Sequence, residues 1–205
     1  EILRDLIGAP AGKNILDAGC GNGSISMQFL ERNEITFLDL SENMLELVRA
    51  NTPPEYLTKT KRINSSLEDF HPDSKYDFVL GIGLISHVPD VKNTLAKMES
   101  LMANDGRIVI QFSNYNSWVN RLKIKLATRY QYRINKLRYE AFKVDVANAG
   151  LELVKEVQYS FLPPGMGMLP NRLLYHFTKL TYTNALLSKI GTDFIWVLKR
   201  KDSRI

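Results

Sequence analysis

Short apolar runs alternate along this chain with stretches where apolar residues recur every three or four positions. The runs predict strands: Lys13 to Ala18, "EITFLDL" from Glu34, a short one around Ile63, "YDFVLGIG" from Tyr76, "RIVIQF" after the turn "NDG" at 104–106, "LELVKEVQYSF" and "TDFIWVLKR". The helical periods fall between them. Ser24 to Arg32 is one, and "SENMLELVRA" is another, with Ser41 as its N-cap and Asn51 and Pro53–Pro54 as its stop. Asp90 caps a third, whose Val91, Leu95, Met98, Leu101 and Met102 share a face. Leu137 to Ala149 is a fourth, ending at Gly150. Strands alternating with helices predict an α/β fold, a doubly wound parallel sheet with helices on both faces. Residues 114–136 and 162–190 break the rhythm. They are far longer than the connections of about 2–6 residues that such a sheet needs. Both leave at or near the carboxyl edge, where these sheets hold ligands, so both are expected to form a lid, the second with a helix from about Arg172.

Composition narrows the class. The chain has 205 residues, 44% of them hydrophobic and 24% charged, which fits a single domain over 1–205 with a sizeable core. A net charge of +5 does not by itself call for nucleic acid. The single cysteine, Cys20, excludes an internal disulfide and points to a reducing, cytoplasmic setting. No apolar run approaches the roughly 20 residues of a spanning helix. The opening "EILRDLIG" has neither a methionine nor a signal peptide and reads as the end of a helix, so residues upstream are expected.

The stretch "ILDAGCGNGS" carries the chemistry. Its glycines, Gly19, Gly21 and Gly23, follow a strand but do not have the G-x-G-x-x-G spacing of a dinucleotide turn. That turn holds a pyrophosphate at a helix N-terminus, and the carboxylate of Asp17 would repel phosphate there. The acid favours a cationic ligand without phosphate, and S-adenosylmethionine, with its ammonium and sulfonium, is such a ligand. A second acid, Asp39, ends the next strand. A carboxylate there can accept both ribose hydroxyls, each charged hydrogen bond contributing roughly 1.5–3 kcal/mol.

With "FLDLSENML", "SLEDF", "YDFVLGIGLISHVPD" and "NDGRIVIQF" following in order, the chain resembles the class I S-adenosylmethionine-dependent methyltransferases over residues 14–112. The resemblance implies a Rossmann-like, seven-stranded, mostly parallel sheet whose half 14–112 binds S-adenosyl-L-methionine. It assigns the methionine end to Asp17, Gly19 and Gly21, the ribose to Asp39, and further cofactor contacts to Cys20, Leu40, Met44 and Gly81. The family grips adenine with an acid and the next backbone N–H. Here Ser66 and Leu67 align, with serine in place of the usual aspartate, so Ser66 accepts more weakly or Glu68 substitutes. No metal is implied.

Plainer readings stand beside these. Asp17 and Asp39 could be turn and helix-entry acids, Cys20 a small residue in a tight turn, and Met166 and Met168 loop packing. His71 reads as exposed and His176 as a packed helix residue. His87, in "GLISHVPD", is the candidate general base or acceptor contact, because histidine titrates near neutrality; the alternative is a loop histidine that only packs. After the fourth strand there is no acid or asparagine before Pro-Pro-aromatic, as in base-amine methyltransferases, and no paired-glutamate loop, as in arginine methyltransferases. The apolar residues there suit a small organic acceptor of quinone, porphyrin, lipid-linked or secondary-metabolite type, a hydroxyl first. The lid residues suit an amphipathic or acidic one. Basic residues from Arg121 to Arg133 read as a solvated face and leave peripheral membrane contact open. Two rivals remain. One is an RNA methyltransferase using the basic, aromatic stretch 121–143, with nucleic acid the less favoured partner. The other is a non-catalytic cofactor-binding module.

Overall fold

The computed structural model describes residues 2–117, 120–121, 135–160, 170–184 and 191–201. Seven strands build one sheet: β1 (Asn14–Ala18), β2 (Glu34–Asp39), β3 (Thr60–Asn64), β4 (Tyr76–Gly81), β5 (Met102–Ser113), β6 (Leu151–Tyr159) and β7 (Asp193–Arg200). Their order is β3-β2-β1-β4-β5-β7-β6, and β7 alone runs antiparallel to its neighbours. The expected Rossmann-like, mostly parallel architecture is therefore the one observed. Five helices accompany it among the described residues: α1 (Ile2–Ile7), α2 (Glu42–Asn51), α3 (Val91–Leu101), α4 (Tyr139–Asn148) and α5 (Asn171–Thr183).

The central strands are apolar on both faces because both faces are covered. In β1, Ile15 packs into one cluster with Phe37, Leu45, Val48, Phe29 and Leu3, and Leu16 packs into the other with Ile108, Leu95, Met98 and Phe142. This explains why β1, β2 and β4 read as continuous apolar runs rather than alternating ones. On the second face Phe112 contacts Phe142 edge-on, ring centres 4.7 Å apart, and Trp196 at 4.8 Å. Burying side chains of this size is worth about 1.5–3 kcal/mol each. The cluster fixes α4 and the antiparallel β7 against β5.

Three local expectations are corrected. Residues 24–32 do not form an α-helix; only Met27–Arg32 winds, as a 3-10 helix. Side chains compete for its polar groups: the Ser26 hydroxyl donates to Asp17 Oδ2, and Asn33 Nδ2 donates to the Phe29 carbonyl. Ser41 sits at the N-cap of α2 but its side chain makes no capping bond; its backbone N–H instead donates to Asp39 Oδ1 at 2.9 Å. Asp90 does cap α3, accepting from the N–H groups of Lys92 and Asn93. The "NDG" at 104–106 lies inside β5, where pairing slips from Tyr76–Met102 to Phe78–Arg107, so it acts as a bulge.

Of the stretches expected to form a lid, residues 118–119, 122–134, 162–169 and 185–190 lie outside the described residues. The helix expected from about Arg172 is α5. No helix among the described residues is long and apolar enough to cross a membrane.

Candidate functional site

The strand order reverses between β1 and β4, and in open sheets of this kind ligands bind at such a point, outside the carboxyl ends. The glycine turn after β1 folds back over β2, with Gly19 N–H and Cys20 N–H both donating to the Leu38 carbonyl at 2.8 and 3.1 Å. Gly19 takes φ +67, and a Cβ there would lie 3.0 Å from Leu84 Cδ1. A side chain at this position would meet backbone strain and the post-β4 loop together. At Gly23, φ +74, a Cβ would come within 3.0 Å of Phe37, Met27 and Val48, so this glycine serves packing rather than ligand approach.

Between this turn, the end of β2 and the loop after β4 lies a cavity of about 360 Å³. Gly19, Asp39, Leu40, Ser66, Leu67 and His87 line it, so the structure gathers these six candidates at one place. Glu68 and the loop residues Ile82 to Leu84, Val88 and Pro89 complete much of the wall. Of these only Glu68 stood out in the sequence; the loop residues are apolar or small, and only their position directly after β4 marks them. A larger cavity, about 550 Å³, opens at the opposite, amino edge, where Lys13 pairs with Asp77 at 3.0 Å. Size favours it, but it lies at the wrong edge of the sheet, and its charged lining mixes Lys13, Arg32 and Lys59 with Glu34 and Asp77.

The candidates outside the cavity wall have other contacts. Asp17 is buried beneath the turn and accepts from the Ser26 hydroxyl at 2.5 Å. Burial pushes its carboxyl up to about 6; the Ser26 bond opposes that rise and the Asp39 charge adds to it. Gly21 donates its N–H to Asp39 Oδ2 at 2.8 Å, which ties the turn to the acid after β2. Cys20 packs in the core, and burial pushes its thiol further from ionisation, leaving it inert. Gly81 is buried against Met98, and Met44 lies partly exposed on α2.

Asp39 is the best-placed acid. Each carboxylate oxygen already holds one backbone N–H, from Ser41 and from Gly21, which fixes its orientation. A carboxylate accepts about four bonds, so capacity for a diol remains. Ser66 is committed locally: its hydroxyl donates to Asp69 at 2.6 Å and accepts from Asp69 N–H at 3.0 Å. Glu68 receives the Thr94 hydroxyl at 3.3 Å on one oxygen. His87 is exposed at the rim, its N–H donating to the Leu84 carbonyl at 2.9 Å. Among the described residues, the cavity wall thus holds two carboxylates and a histidine and no lysine or arginine.

The chain matches the family model described as a methyltransferase domain over residues 2–156. It is similar to the ubiquinone biosynthesis O-methyltransferase of Vibrio atlanticus (strain LGP32), 31% identical over 108 residues, which are 51% of this chain and 45% of that protein. The chain spans about half the length of such relatives. Among solved structures, the S-adenosylmethionine dependent methyltransferase from Mesorhizobium loti superposes with a TM-score of 0.71 at 17% identity, covering 97% of this chain and 96% of that one. The magnesium protoporphyrin IX methyltransferase from Synechocystis PCC 6803, with bound SAH, gives 0.70 at 15%, covering 98% and 80%. These likenesses carry the fold, and the family match takes in β1 to β5, the glycine turn and the whole cavity wall. The chain belongs to the methyltransferase-domain family.

Proposed function

We propose that the chain is an S-adenosylmethionine-dependent methyltransferase acting on a small organic acceptor, a hydroxyl first. One observation carries this reading. Among the described residues, the cavity at the switch point is lined by Asp39 and Glu68 and by no lysine or arginine. A dinucleotide would bring two phosphates into a site whose described wall carries two carboxylates and no lysine or arginine to offset them. A sulfonium ligand finds the opposite. The dimensions suit it as well, since ligand pockets run about 300–1,000 Å³.

The residues present fit that cofactor. Asp39, held open-side-out by Gly21 and Ser41, takes the ribose hydroxyls. The glycine turn lets the backbone at Gly19 approach the methionine end, with Asp17 supporting it from below through Ser26. Leu40, exposed beside the cavity, and Leu67 give apolar surface to the adenine, while Glu68 takes over the acceptor position that Ser66 uses on Asp69. When bound, the cofactor supplies an electrophilic methyl group. The chain then has to align an acceptor with it and remove the acceptor's proton. His87, at the exposed rim, is the residue for the proton.

The acceptor class is supported by the names of a relative, a ubiquinone biosynthesis O-methyltransferase, and of a structural neighbour, a magnesium protoporphyrin IX methyltransferase. The basic stretch 121–143 is the feature that RNA would need, and most of it lies outside the described residues. The single cysteine supports a reducing compartment such as the cytoplasm.

Calorimetry with S-adenosylmethionine and NADH tests the cofactor, and a turnover screen over phenols, quinones, porphyrin acids and RNA tests the acceptor. The wild type should bind S-adenosylmethionine and not NADH. Asp39→Ala should weaken binding by at least one charged hydrogen bond, roughly 1.5–3 kcal/mol. Tight NADH binding, or an Asp39→Ala variant of unchanged affinity, would overturn the reading.

A further inference from the structure

The loop after β4, which supplies much of the cavity wall, is held by a residue from far along the chain. Asn135 Nδ2 donates to the Ile85 carbonyl at 3.1 Å and to the Val88 carbonyl at 2.8 Å. Its backbone N–H donates to the Ser86 carbonyl at 2.8 Å. One residue therefore takes three carbonyls of a loop whose own turn is closed by His87 N–H on the Leu84 carbonyl, at 2.9 Å. Asn135 is itself fixed from behind. Its carbonyl accepts from Leu137 N–H at 3.0 Å, and the Leu137 carbonyl accepts from Tyr115 N–H at 2.7 Å, just past the end of β5.

The residue type matters. A neutral side-chain amide carries two N–H donors in one plane and so can serve two carbonyls at once. Leucine would fill a similar volume and leave both carbonyls without a side-chain donor. Aspartate would set a carboxylate against them. Backbone polar groups in partly buried loops are rarely left unpaired, so the loop would move to find new partners.

We propose that Asn135 is a positioning residue: it sets the 84–88 loop at the rim of the cofactor cavity and with it the place of His87. This rests on the cavity being the S-adenosylmethionine site. The sequence around Asn135 shows none of it, because its partners lie about fifty residues upstream.

The test compares the full-length wild type with Asn135→Leu and Asn135→Asp. Amide hydrogen exchange is measured across the chain, and affinity for S-adenosylhomocysteine is measured by calorimetry. Faster exchange confined to the 84–88 segment, with α3 and β5 unchanged, is expected in both variants. Losing two hydrogen bonds from the cavity wall should weaken S-adenosylhomocysteine by about tenfold. Unchanged exchange in 84–88 overturns the proposal. So does exchange that rises uniformly through the core, because Asn135 would then hold the fold and not the loop. A wild type that fails to bind S-adenosylhomocysteine refutes the cofactor reading instead, and loop exchange still decides whether Asn135 holds the loop.

Discussion

At the scale of single residues, position decides which of three similar acids does what. Asp17, one residue before the end of β1, is buried against Ser26, while Asp39, the last residue of β2, lines the cavity, held by two backbone N–H groups. Glu68 lines the same cavity, while Ser66, the residue aligned with the usual acid, is bonded to Asp69. His87 differs from His71 and His176 by lying on that wall. Its role as base is therefore open to a direct measurement. His87→Ala should lower turnover roughly 10²–10⁴-fold, the usual contribution of a positioned acid or base, with S-adenosylhomocysteine affinity retained. Loss of affinity with turnover preserved would make His87 part of the cofactor wall only.

At the scale of elements, two helices show how capping is decided outside the helix. Both α2 and α3 follow a polar residue suited to the N-cap. Asp90 accepts two N–H groups of the first turn of α3. Ser41 contributes no side-chain bond to α2, since Asp39 already orients the backbone there. Asp90→Ala should therefore destabilise the protein by about 0.5–2 kcal/mol, the measured range for cap removal. Ser41→Ala should cost a few tenths at most. Equal losses in chemical denaturation would contradict the assignment of the caps. The strands were legible because burial on both faces makes them continuous apolar runs. The 24–32 segment was not, because its apolar period is helical while the Asn33–Phe29 bond closes its end and the Asp17 carboxylate that holds Ser26 comes from β1.

At the scale of the molecule, a buried acid couples stability to pH. The Asp17 carboxyl titrates at about 6 when folded, against 3.8 as its ordinary value. Between these values the folded chain keeps a proton that the unfolded chain has lost. The stability that this group contributes is fully present below about 4 and is lost as pH rises through 6. A displacement of this size corresponds to roughly 3 kcal/mol. Asp17→Asn keeps an acceptor for Ser26 and has nothing to ionise. The stability of the variant relative to the wild type should rise between pH 4 and 7 by an amount of that order. A difference independent of pH would mean that Asp17 is solvated in the native state.

The sequence by itself determined the alternation of elements, the α/β class and the position of the glycine turn. Each of these depends on a local property: apolar periodicity, a run of glycines, an acid at a strand end. Its motifs, through the family they resemble, also marked Asp39 and Leu67 as cofactor contacts, and His87 was marked by its place in the loop after the fourth strand. Only the tertiary structure decided that Asp17 lies beneath the turn rather than on the cavity wall, and that Ser66 is bonded to Asp69. It alone brought Asn135 to the loop that carries His87. Those outcomes depend on which groups from distant elements compete for the same donors and acceptors. A hydrogen bond between residues fifty positions apart leaves no period in the chain to be read.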